Sequence, residues 1–418
     1  MAGRRITLTT RILISLGIGV AAGLVVHQFP GSAWMKTWLV DGVFAAGGQL
    51  FLRGITMLVT PLVLVSITAG AAKLGDVRKV GRIGMQVFVL YLLTTLMAVS
   101  AAVAVASLTQ PGAGLDLSHV TREAPVAHER LTAAQMLLEM VPANPFKSLV
   151  EGNMLQIIVF ALLCGMGLSA LGAQGAGMVG VVDGCNDMLL KVVGYVMLFA
   201  PVGVFCLVAR TFATTGFTAM APLAKYMGTM VLVLAVQLCV VYAGLLAGLA
   251  RVNPLRFFRK FFPAFTVAFS TSSSYAALPV TLKTVEENVG VSEEVASFTI
   301  PLGATINMDG TAIMQGVATV FTAQVFGVHL GTMELLTVVL TATLASIGTA
   351  GVPAVGLVML TMVLQSVGLP IEGIGIIIGI DRILDMTRTA VNVTGDAVCT
   401  TIVAKRCGQF DEALFAAD

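Results

Sequence analysis

Two interrupted apolar segments in the second half of the chain decide the fold. The first is Phe269-Ser-Thr-Ser-Ser-Ser-Tyr-Ala-Ala-Leu-Pro279, and the second is Ala345-Ser-Ile-Gly-Thr-Ala-Gly-Val-Pro-Ala-Val-Gly356. Each places a small, polar, proline-containing break where a membrane-spanning helix would be continuous. A broken backbone at membrane depth is tolerated only where protein or water satisfies its polar groups. Two such breaks in corresponding positions indicate an inverted-repeat transporter with its site near the bilayer midplane.

The composition around these segments predicts that most of the surface faces lipid. Hydrophobic residues make up 57% of the 418 residues and charged residues 11%, whereas about 25% of a soluble domain is charged. So few charges could not cover a soluble protein of this size, and disorder requires the opposite composition. Stretches free of Asp, Glu, Lys and Arg mark candidate spans, and they lie at 12–35, 54–72, 83–115, 152–182, 192–209, 226–250, 261–282, 310–333 and 335–371.

Charge and cysteine usage argue against several other classes of protein. The net charge is +2, and basic residues do not alternate with aromatic ones, so no nucleic-acid partner is expected. The 6 cysteines show no CxxC spacing and the 4 histidines no HExxH pair, which predicts neither a disulfide framework nor a hydrolytic metal centre. We expect no enzyme and no organic cofactor.

The bias of lysine and arginine predicts cytoplasmic termini. Arg4, Arg5 and Arg11 precede the first span, and Lys405 and Arg406 follow the last. We interpret the N-terminal apolar run as a first spanning helix, because no small-residue cleavage site follows it. The expected location is therefore the cell (inner) membrane, crossed several times.

The last span carries one stripe of polar side chains. At 100° per residue these positions fall within a stripe about 100° wide, and they are Asp381, Asp385, Arg388, Thr389, Asn392 and Asp396. Each charge would cost about 2.5–3.5 kcal/mol at the bilayer centre, so the stripe must face protein, water, ions or substrate. Salt bridges between helices are the structural alternative. An arginine among carboxylates instead favours a pocket for a zwitterion with an extra carboxylate, in which Arg388 grips that carboxylate and Asp385 takes the ammonium.

A second polar motif, Asn307-Met-Asp-Gly-Thr311, interrupts the preceding apolar stretch. Asn and Gly loosen a helix, so that backbone carbonyls become available as ion ligands. The hard carboxylate oxygens of Asp309 and Asp396 beside such carbonyls suit a small cation. A kink without a ligand is the alternative, although a carboxylate makes a pure kink costly.

Five motifs together carry a resemblance to a known family. They are Met57-Leu-Val-Thr-Pro61, the first break ending in Leu278-Pro-Val-Thr281, Asn307-Met-Asp-Gly-Thr311, Ala345-Ser-Ile-Gly-Thr-Ala-Gly-Val-Pro353 and Asp385-Met-Thr-Arg-Thr-Ala-Val-Asn-Val-Thr-Gly-Asp396. They resemble the dicarboxylate/amino acid:cation symporter family, the glutamate transporter family that includes the archaeal sodium-coupled aspartate transporters. The resemblance covers essentially the whole chain.

The resemblance implies a fold and a mechanism. The fold would be an all-α polytopic membrane protein of eight transmembrane helices and two re-entrant helical hairpins with inverted repeats, assembled as a homotrimer in membrane lipid and working as an elevator. The implied segments are 1–72 (scaffold helices 1 and 2), 73–133 (transport-domain helix 3 and an extracellular loop), 134–214 (scaffold helices 4 and 5), 215–253 (transport-domain helix 6), 254–293 (hairpin 1), 294–331 (helix 7), 332–370 (hairpin 2, the gate) and 371–418 (helix 8 and a cytoplasmic tail).

The same resemblance implies binding residues for an acidic amino acid and for sodium. The substrate site would comprise Ser272, Ser274, Thr311, Val352, Gly356, Asp385, Arg388, Thr389 and Asn392. One sodium site would use Asp396 with the carbonyls of Gly303, Asn307 and Asn392. A second would use the carbonyls of Thr305, Ser346, Ile347 and Thr349, with Met308 packed between them. A third would use Tyr91, Thr94, Thr95, Asn307 and Asp309.

The sequence departs from the family at several of these positions. Archaeal members have an arginine where Ser272 stands, and animal members have one at the position of Met386, so Arg382 is the nearest substitute here. Tyr275 replaces a small or hydroxyl residue at the first hairpin tip. Animal members carry a co-transported proton on a glutamate where Gln315 stands, and an amide cannot titrate.

The leading functional hypothesis is uptake of aspartate or glutamate coupled to an inward sodium gradient. Proton coupling, or transport of C4-dicarboxylates, is the alternative, although a dicarboxylate needs no ammonium acceptor such as Asp385. A carrier of neutral amino acids would not need Arg388. A channel and a membrane enzyme with Ser274 as nucleophile are the other classes, and no His or Lys lies near that serine in sequence to activate it.

Overall fold

The described part of the computed structural model covers residues 8–29, 32–80, 82–115, 141–216, 220–347, 349, 351 and 355–417, and it is almost wholly helical. The helices, in chain order, are α1 Leu8–His27, α2 Ala45–Val80, α3 Arg82–Thr109, α4 Pro145–Glu151, α5 Met154–Ala170, α6 Ala176–Leu198, α7 Ala200–Thr215, α8 Met220–Val236, α9 Pro254–Thr271, α10 Ser274–Thr284, α11 Glu293–Ile306, α12 Asp309–Val325, α13 Thr332–Ser346, α14 Val355–Ser366, α15 Ile374–Arg406 and α16 Glu412–Ala416. A π-helical turn, Met35–Phe44, leads into α2. Helix α8 runs on through π-helical turns to Ala250.

Several of these helices are long and apolar enough to cross a membrane. Within the described residues they are Thr10–His27, Met35–Ala72, Ile83–Thr109 and Met220–Ala250, and the bent pair α5 and α6 would make a fifth span. The all-α class is thereby confirmed, and the several apolar helices are consistent with a membrane transporter. The number of eight spans stays a prediction, because other apolar helices, such as Ala200–Thr214, Thr332–Ser346 and Val355–Ser366, are shorter than a full span.

The helices pack as two groups. In the first group α1 lies along α7, and α2 lies along α5, α6 and α7. In the second group α12 and α15 form the centre, with α3, α8, α9, α11, α13 and α14 around them. The predicted division into scaffold and transport segments stays a prediction.

The first predicted break forms a helical hairpin. Helix α9 ends at Thr271, and Ser272 adopts a left-handed backbone with φ of 50° that turns the chain. The Ser273 side chain then caps α10 by accepting a hydrogen bond from the Ala276 amide at 3.2 Å. Because α9 and α10 pack against each other, the chain turns back on itself at this point. The break is confirmed.

The second predicted break has the same organisation. Helix α13 ends at Ser346 and α14 begins at Val355, and the two helices pack together. Between them only Ile347, Thr349 and Gly351 are described. The two hairpins therefore bring two non-helical tips into the second helix group.

The Asn307 motif also breaks its helix. Helix α11 ends at Ile306, α12 begins at Asp309, and Asn307 and Met308 between them have non-helical backbones. The predicted loosening is confirmed, and it lies beside the middle of α15, since the backbones of Gly310 and Arg388 meet there.

The residues that follow α15 fasten the base of the first hairpin. The Asp411 amide donates to the Gly290 carbonyl at 2.7 Å, and the Lys260 ammonium donates to the Leu414 carbonyl at 3.0 Å. Phe415 is buried in this contact. Gly290 has a φ of 90°, and a Cβ there would lie 2.7 Å from the Asp411 carbonyl, so the close approach requires glycine.

Candidate functional site

Arg388 lies at the centre of the site and is held by two carboxylates of its own helix. Its side chain is 1% exposed. One terminal nitrogen donates to Asp381, and the other donates to Asp385 Oδ1 at 2.8 Å. Asp381 and Asp385 are themselves buried. The three side chains carry a net charge of −1, which is costly in a buried position unless every charge has a partner.

The opposite wall of the Arg388 site comes from the start of α12. Asn392 donates to Thr311 Oγ1 at 3.3 Å, and its carbonyl oxygen accepts from the Gly310 amide at 2.6 Å. Gly310 is required here, because a Cβ would lie 2.6 Å from the Arg388 carbonyl. The structure thus brings together Thr311, Asp385, Arg388 and Asn392 as predicted, on facing stripes of α12 and α15. Thr389, which follows Arg388 on α15, is also buried.

The tips of the two hairpins meet over this wall. The Ser273 hydroxyl donates to the Gly351 carbonyl at 2.8 Å, and the Tyr275 amide donates to the same carbonyl at 3.3 Å. Ser274 packs against Gly351, whose Cβ would lie 3.0 Å from that of Ser274. Ser272 is buried, and its hydroxyl has no hydrogen-bond partner.

The second hairpin also reaches Arg388 directly. A Cβ on Gly356 would lie 3.0 Å from Thr311 Cγ2 and 3.7 Å from Arg388 Nη2. The start of α14 therefore lies against the arginine with no side chain between them at this position. Val352 lies outside the described residues, as does the side chain of Arg382.

Asp309 forms the first of two oxygen-rich clusters. Its Oδ1 accepts from the Thr95 hydroxyl at 2.6 Å, and its Oδ2 accepts from the Tyr242 hydroxyl at 2.7 Å and the Gln237 amide at 3.1 Å. Asp309 is completely buried. A buried carboxylate needs several donors or a cation to compensate its charge, and here three neutral donors surround it.

Asn307 links this cluster to a second one at Asp396. Its amide nitrogen donates to Asp396 Oδ1 at 2.9 Å, and its oxygen accepts from Thr94 at 3.2 Å. A Cβ on Gly303 would lie 2.6 Å from Asp396 Oδ1 and 2.7 Å from the Tyr91 hydroxyl. The predicted ligands therefore converge from α3, α11 and α15. The Tyr91 hydroxyl donates to the Thr299 carbonyl at 2.9 Å and lies beside the Asp396 cluster.

The ligands of the predicted second sodium site lie where α13 ends against α11. The Ser346 hydroxyl donates to the Ile306 carbonyl at 2.9 Å, and the Ser346 carbonyl accepts from the Thr349 amide at 3.4 Å. Met308 lies beside this junction, with its sulfur 3.3 Å from the Asn392 amide nitrogen. The hydroxyl of Thr305 donates to the Pro301 carbonyl within its own helix at 3.3 Å. Ile347 contacts α2 instead, since a Cβ on Gly70 would lie 2.5 Å from the Ile347 carbonyl.

Three residues of the site lie beyond the positions predicted for binding. Gln237 and Tyr242 hold Asp309, and Asp381 holds Arg388. A glutamine in the middle of the apolar span Met220–Ala250 is a signal in itself, because such a side chain is costly in lipid and needs a partner. Asp381 belongs to the polar stripe, but periodicity alone does not say which carboxylate the arginine contacts.

Close packing around Gly395 gives a test of the Asp309 cluster. A Cβ at this position would lie 2.3 Å from the Tyr242 hydroxyl and 2.9 Å from Asn307 Nδ2. We expect Gly395→Ala to displace these groups and to destabilise the protein by about 1–3 kcal/mol, as overpacking does. Gly228→Ala is the control, because nothing lies within 4 Å of its Cβ position. A thermal melt in detergent measures both, and equal melting temperatures would contradict the packing described.

The arrangement combines one buried cation with two clusters of hard oxygen atoms. Arg388 can pair with a carboxylate bidentately once it releases one of its own partners. The clusters at Asp309 and Asp396 present carboxylate, amide and hydroxyl oxygens, which are ligands for small hard cations. Asn392 touches Thr311, Gly310 and Met308, so it connects the arginine site to the oxygen clusters.

Comparison with known proteins assigns the family. The profile of the sodium:dicarboxylate symporter family matches residues 8–406. The proton/glutamate-aspartate symporter of Escherichia coli (strain K12) is 34% identical over 98% of this chain and 95% of its own. The proton/sodium-glutamate symport protein of Bacillus subtilis (strain 168) is 34% identical, with 96% and 95% covered. The C4-dicarboxylate transport protein of the same strain is 33% identical, with 97% and 95% covered. With a match along almost its whole length, the chain belongs to the sodium:dicarboxylate symporter family.

Proposed function

We propose that the protein is a secondary symporter that uses an inward sodium gradient to take up aspartate or glutamate. The observation that carries this proposal is the buried Arg388, flanked by Asp385 and connected through Asn392 to the oxygen clusters. A guanidinium pairs with the side-chain carboxylate of an acidic amino acid. A neighbouring carboxylate pairs with the ammonium, so the two groups together match both ends of such a substrate.

Substrate binding would exchange the ion-pair partners of Arg388. Arg388 Nη2 now donates to Asp385, and this carboxylate becomes available to an ammonium when a substrate carboxylate takes its place on the arginine. The hydroxyls of Thr311 and Thr389 and the backbone of the hairpin tips provide neutral hydrogen bonds to the rest of the substrate. Closure of hairpin 2 then excludes water through the contacts of Gly351 and Gly356.

Coupling to sodium would follow from residues that serve both sites. Asn307 touches Asp396 and Thr94, and the adjacent Met308 touches Asn392. A cation that orders the break between α11 and α12 would therefore also order the wall of the substrate site. Such coupling is reciprocal, since substrate must then raise the affinity for sodium by the same factor.

Alternating access would use the two helix groups. The group around α12 and α15 would move as the transport domain against a scaffold of α1, α2, α5, α6 and α7, as an elevator in a homotrimer in the inner membrane. The contact between Gly70 of α2 and the Ile347 carbonyl of hairpin 2 supports a close, smooth interface, because a side chain at Gly70 would prevent it.

Proton coupling, or a C4-dicarboxylate substrate, is the second candidate. The names of the relatives favour it, since they include a proton/glutamate-aspartate symporter and a C4-dicarboxylate transport protein. The pairing of Asp385 with Arg388 is also compatible with a substrate that has no ammonium group.

The substitution Asp385→Asn separates the two classes of substrate. We expect aspartate binding to weaken by about 100-fold, because the partner of a buried ammonium is lost, while succinate binding changes far less. Aspartate and succinate uptake into proteoliposomes, measured side by side in parent and variant, tests this. Because each substrate is the control for the other in the same preparation, equal losses would show that Asp385 serves the fold or the ions instead.

A further inference from the structure

Several buried polar atoms on α15 and on the helices that pack against it have no hydrogen-bond partner. They include the Tyr226 hydroxyl, both amide atoms of Gln315 and the Nε of Arg388. Tyr226 is 0% exposed and Gln315 is 1% exposed. Buried polar groups are nearly always paired, so each exception needs an explanation. A buried polar group that has no hydrogen-bond partner in one conformation of a transporter can gain one in another conformation.

Tyr226 lies beside the carboxylates of the arginine site. It stands on α8, which packs against both α12 and α15, and its ring lies 5.0 Å from the ring of Phe321. Its hydroxyl is therefore buried without a partner where α8 packs against the helix that carries Asp381 and Arg388.

Gln315 faces the same region from α12. At 100° per residue, Thr311, Gln315 and Thr322 fall within a stripe about 40° wide. The two ends of this stripe contact α15 and the turn before it, since Thr311 accepts from Asn392 and Thr322 lies against Gly373. Gln315 lies between these contacts, and Asp381 lies between Gly373 and Asn392 in sequence. Gln315 is therefore buried on the part of α12 that runs along α15 between Gly373 and Asn392, the stretch that contains Asp381.

These donors could stabilise a carboxylate that loses its partner when an acidic substrate binds. Arg388 already contacts Asp381 and Asp385, and an acidic substrate would bring a third carboxylate. Three carboxylates around one buried guanidinium repel one another strongly at low dielectric. Asp385 gains an ammonium when an amino acid binds, whereas Asp381 gains nothing from the substrate and would be left buried with a weakened partner.

We propose that Tyr226 and Gln315 receive Asp381 when the substrate carboxylate takes Arg388. The Tyr226 hydroxyl and the Gln315 amide nitrogen then donate to the released carboxylate, so that no buried charge is stranded. Both are positioning residues, because they act on the substrate through Asp381 and do not touch it. The inference rests on the proposed function, since it requires a substrate that carries a carboxylate to Arg388.

The substitution Tyr226→Phe tests the exchange, because it removes an unpaired hydroxyl and keeps the ring. We expect the melting temperature of the substrate-free protein to stay the same or rise, and the dissociation constant for aspartate at saturating sodium to increase about tenfold. Gln315→Met, of similar shape without the amide, should act in the same direction. Tyr195→Phe on the exposed surface of α6 is the matched control and should change neither quantity.

A double-substitution cycle with Asp381→Asn identifies the partner. If Tyr226 acts through Asp381, its loss should cost less than twofold in the Asp381→Asn background. A lowered melting temperature in Tyr226→Phe with aspartate affinity within twofold of the parent would overturn the inference, because the hydroxyl would then serve only the fold. An equal loss in both backgrounds would overturn it as well.

Substrate binding by the parent protein separates a failure of the proposed function from a failure of the inference about Tyr226 and Gln315. If it binds neither aspartate, glutamate nor succinate, the proposed function fails and the inference falls with it. If it binds them and the tyrosine and glutamine variants behave like the parent, only the inference fails.

Discussion

Arg388→Ala is expected to abolish uptake of acidic substrates, with a loss of at least about 100-fold. Truncating one partner of a buried, hydrogen-bonded charge pair costs about 2–5 kcal/mol or more, and Arg388 forms ion pairs with both Asp381 and Asp385. Asp385 would remain able to hold an ammonium. Small neutral amino acids should therefore gain access to the site, which a competition assay with alanine and serine would detect.

The fold of this variant needs its own control. Removing the arginine takes an ion-pair partner from the buried carboxylates of Asp381 and Asp385, which is destabilising by itself. The double variant Arg388→Ala with Asp381→Asn carries one buried charge fewer and should melt at a higher temperature than Arg388→Ala alone. It should still fail to take up aspartate. Uptake of aspartate at the parent's rate by either variant would contradict the assignment of Arg388.

Asp309→Asn is expected to flatten the dependence of substrate binding on sodium. Asp309 is fully buried and accepts from Thr95, Tyr242 and Gln237. Asparagine keeps the shape but removes the negative charge that a bound cation would neutralise, and it turns two donor hydrogens toward groups that are themselves donors. The sodium concentration for half-maximal aspartate binding should rise by at least about tenfold, which corresponds to about 1.4 kcal/mol.

Asp396→Asn should have a similar effect through the neighbouring cluster, because Asn307 donates to Asp396 and touches Thr94. Glu287→Gln is the control, since Glu287 is an exposed carboxylate whose ion pair with Lys283 lies at the surface. Titrations of aspartate binding against sodium in the three variants separate the roles. A sodium dependence in Asp309→Asn equal to that of the control would contradict an ion site at Asp309.

Local sequence signals predicted the features that determine where the chain stops being helical. The serines at 272–274, the Asn307 motif and the small residues after Ser346 all lie at observed breaks. The stripe on α15 was also predictable, because a charge inside an apolar span has few permitted environments. The pairing of Thr95 with Asp309 follows the expected ion site, and this hydrogen bond is present.

Contacts between distant helices were not predictable from periodicity. Gln237 and Tyr242 approach Asp309 from a helix about 70 residues away in sequence, and the cage around Arg388 depends on which carboxylate of the stripe its side chain can reach. The meeting of Ser273 with Gly351 joins two hairpins that are likewise far apart in the chain. A helical pattern specifies which face of a helix is polar, and it does not specify which other helix that face will meet.

Aspartate uptake into proteoliposomes, with the sodium and proton gradients imposed separately, shows which ion drives transport. We expect accumulation under an inward sodium gradient at equal pH on both sides. With a proton gradient alone in sodium-free vesicles, uptake should not exceed that of protein-free liposomes. Gln315 cannot titrate, so affinity at fixed sodium should change little between about pH 6 and 8. Accumulation of aspartate driven by a proton gradient without sodium would contradict the account and establish the proton-coupled alternative.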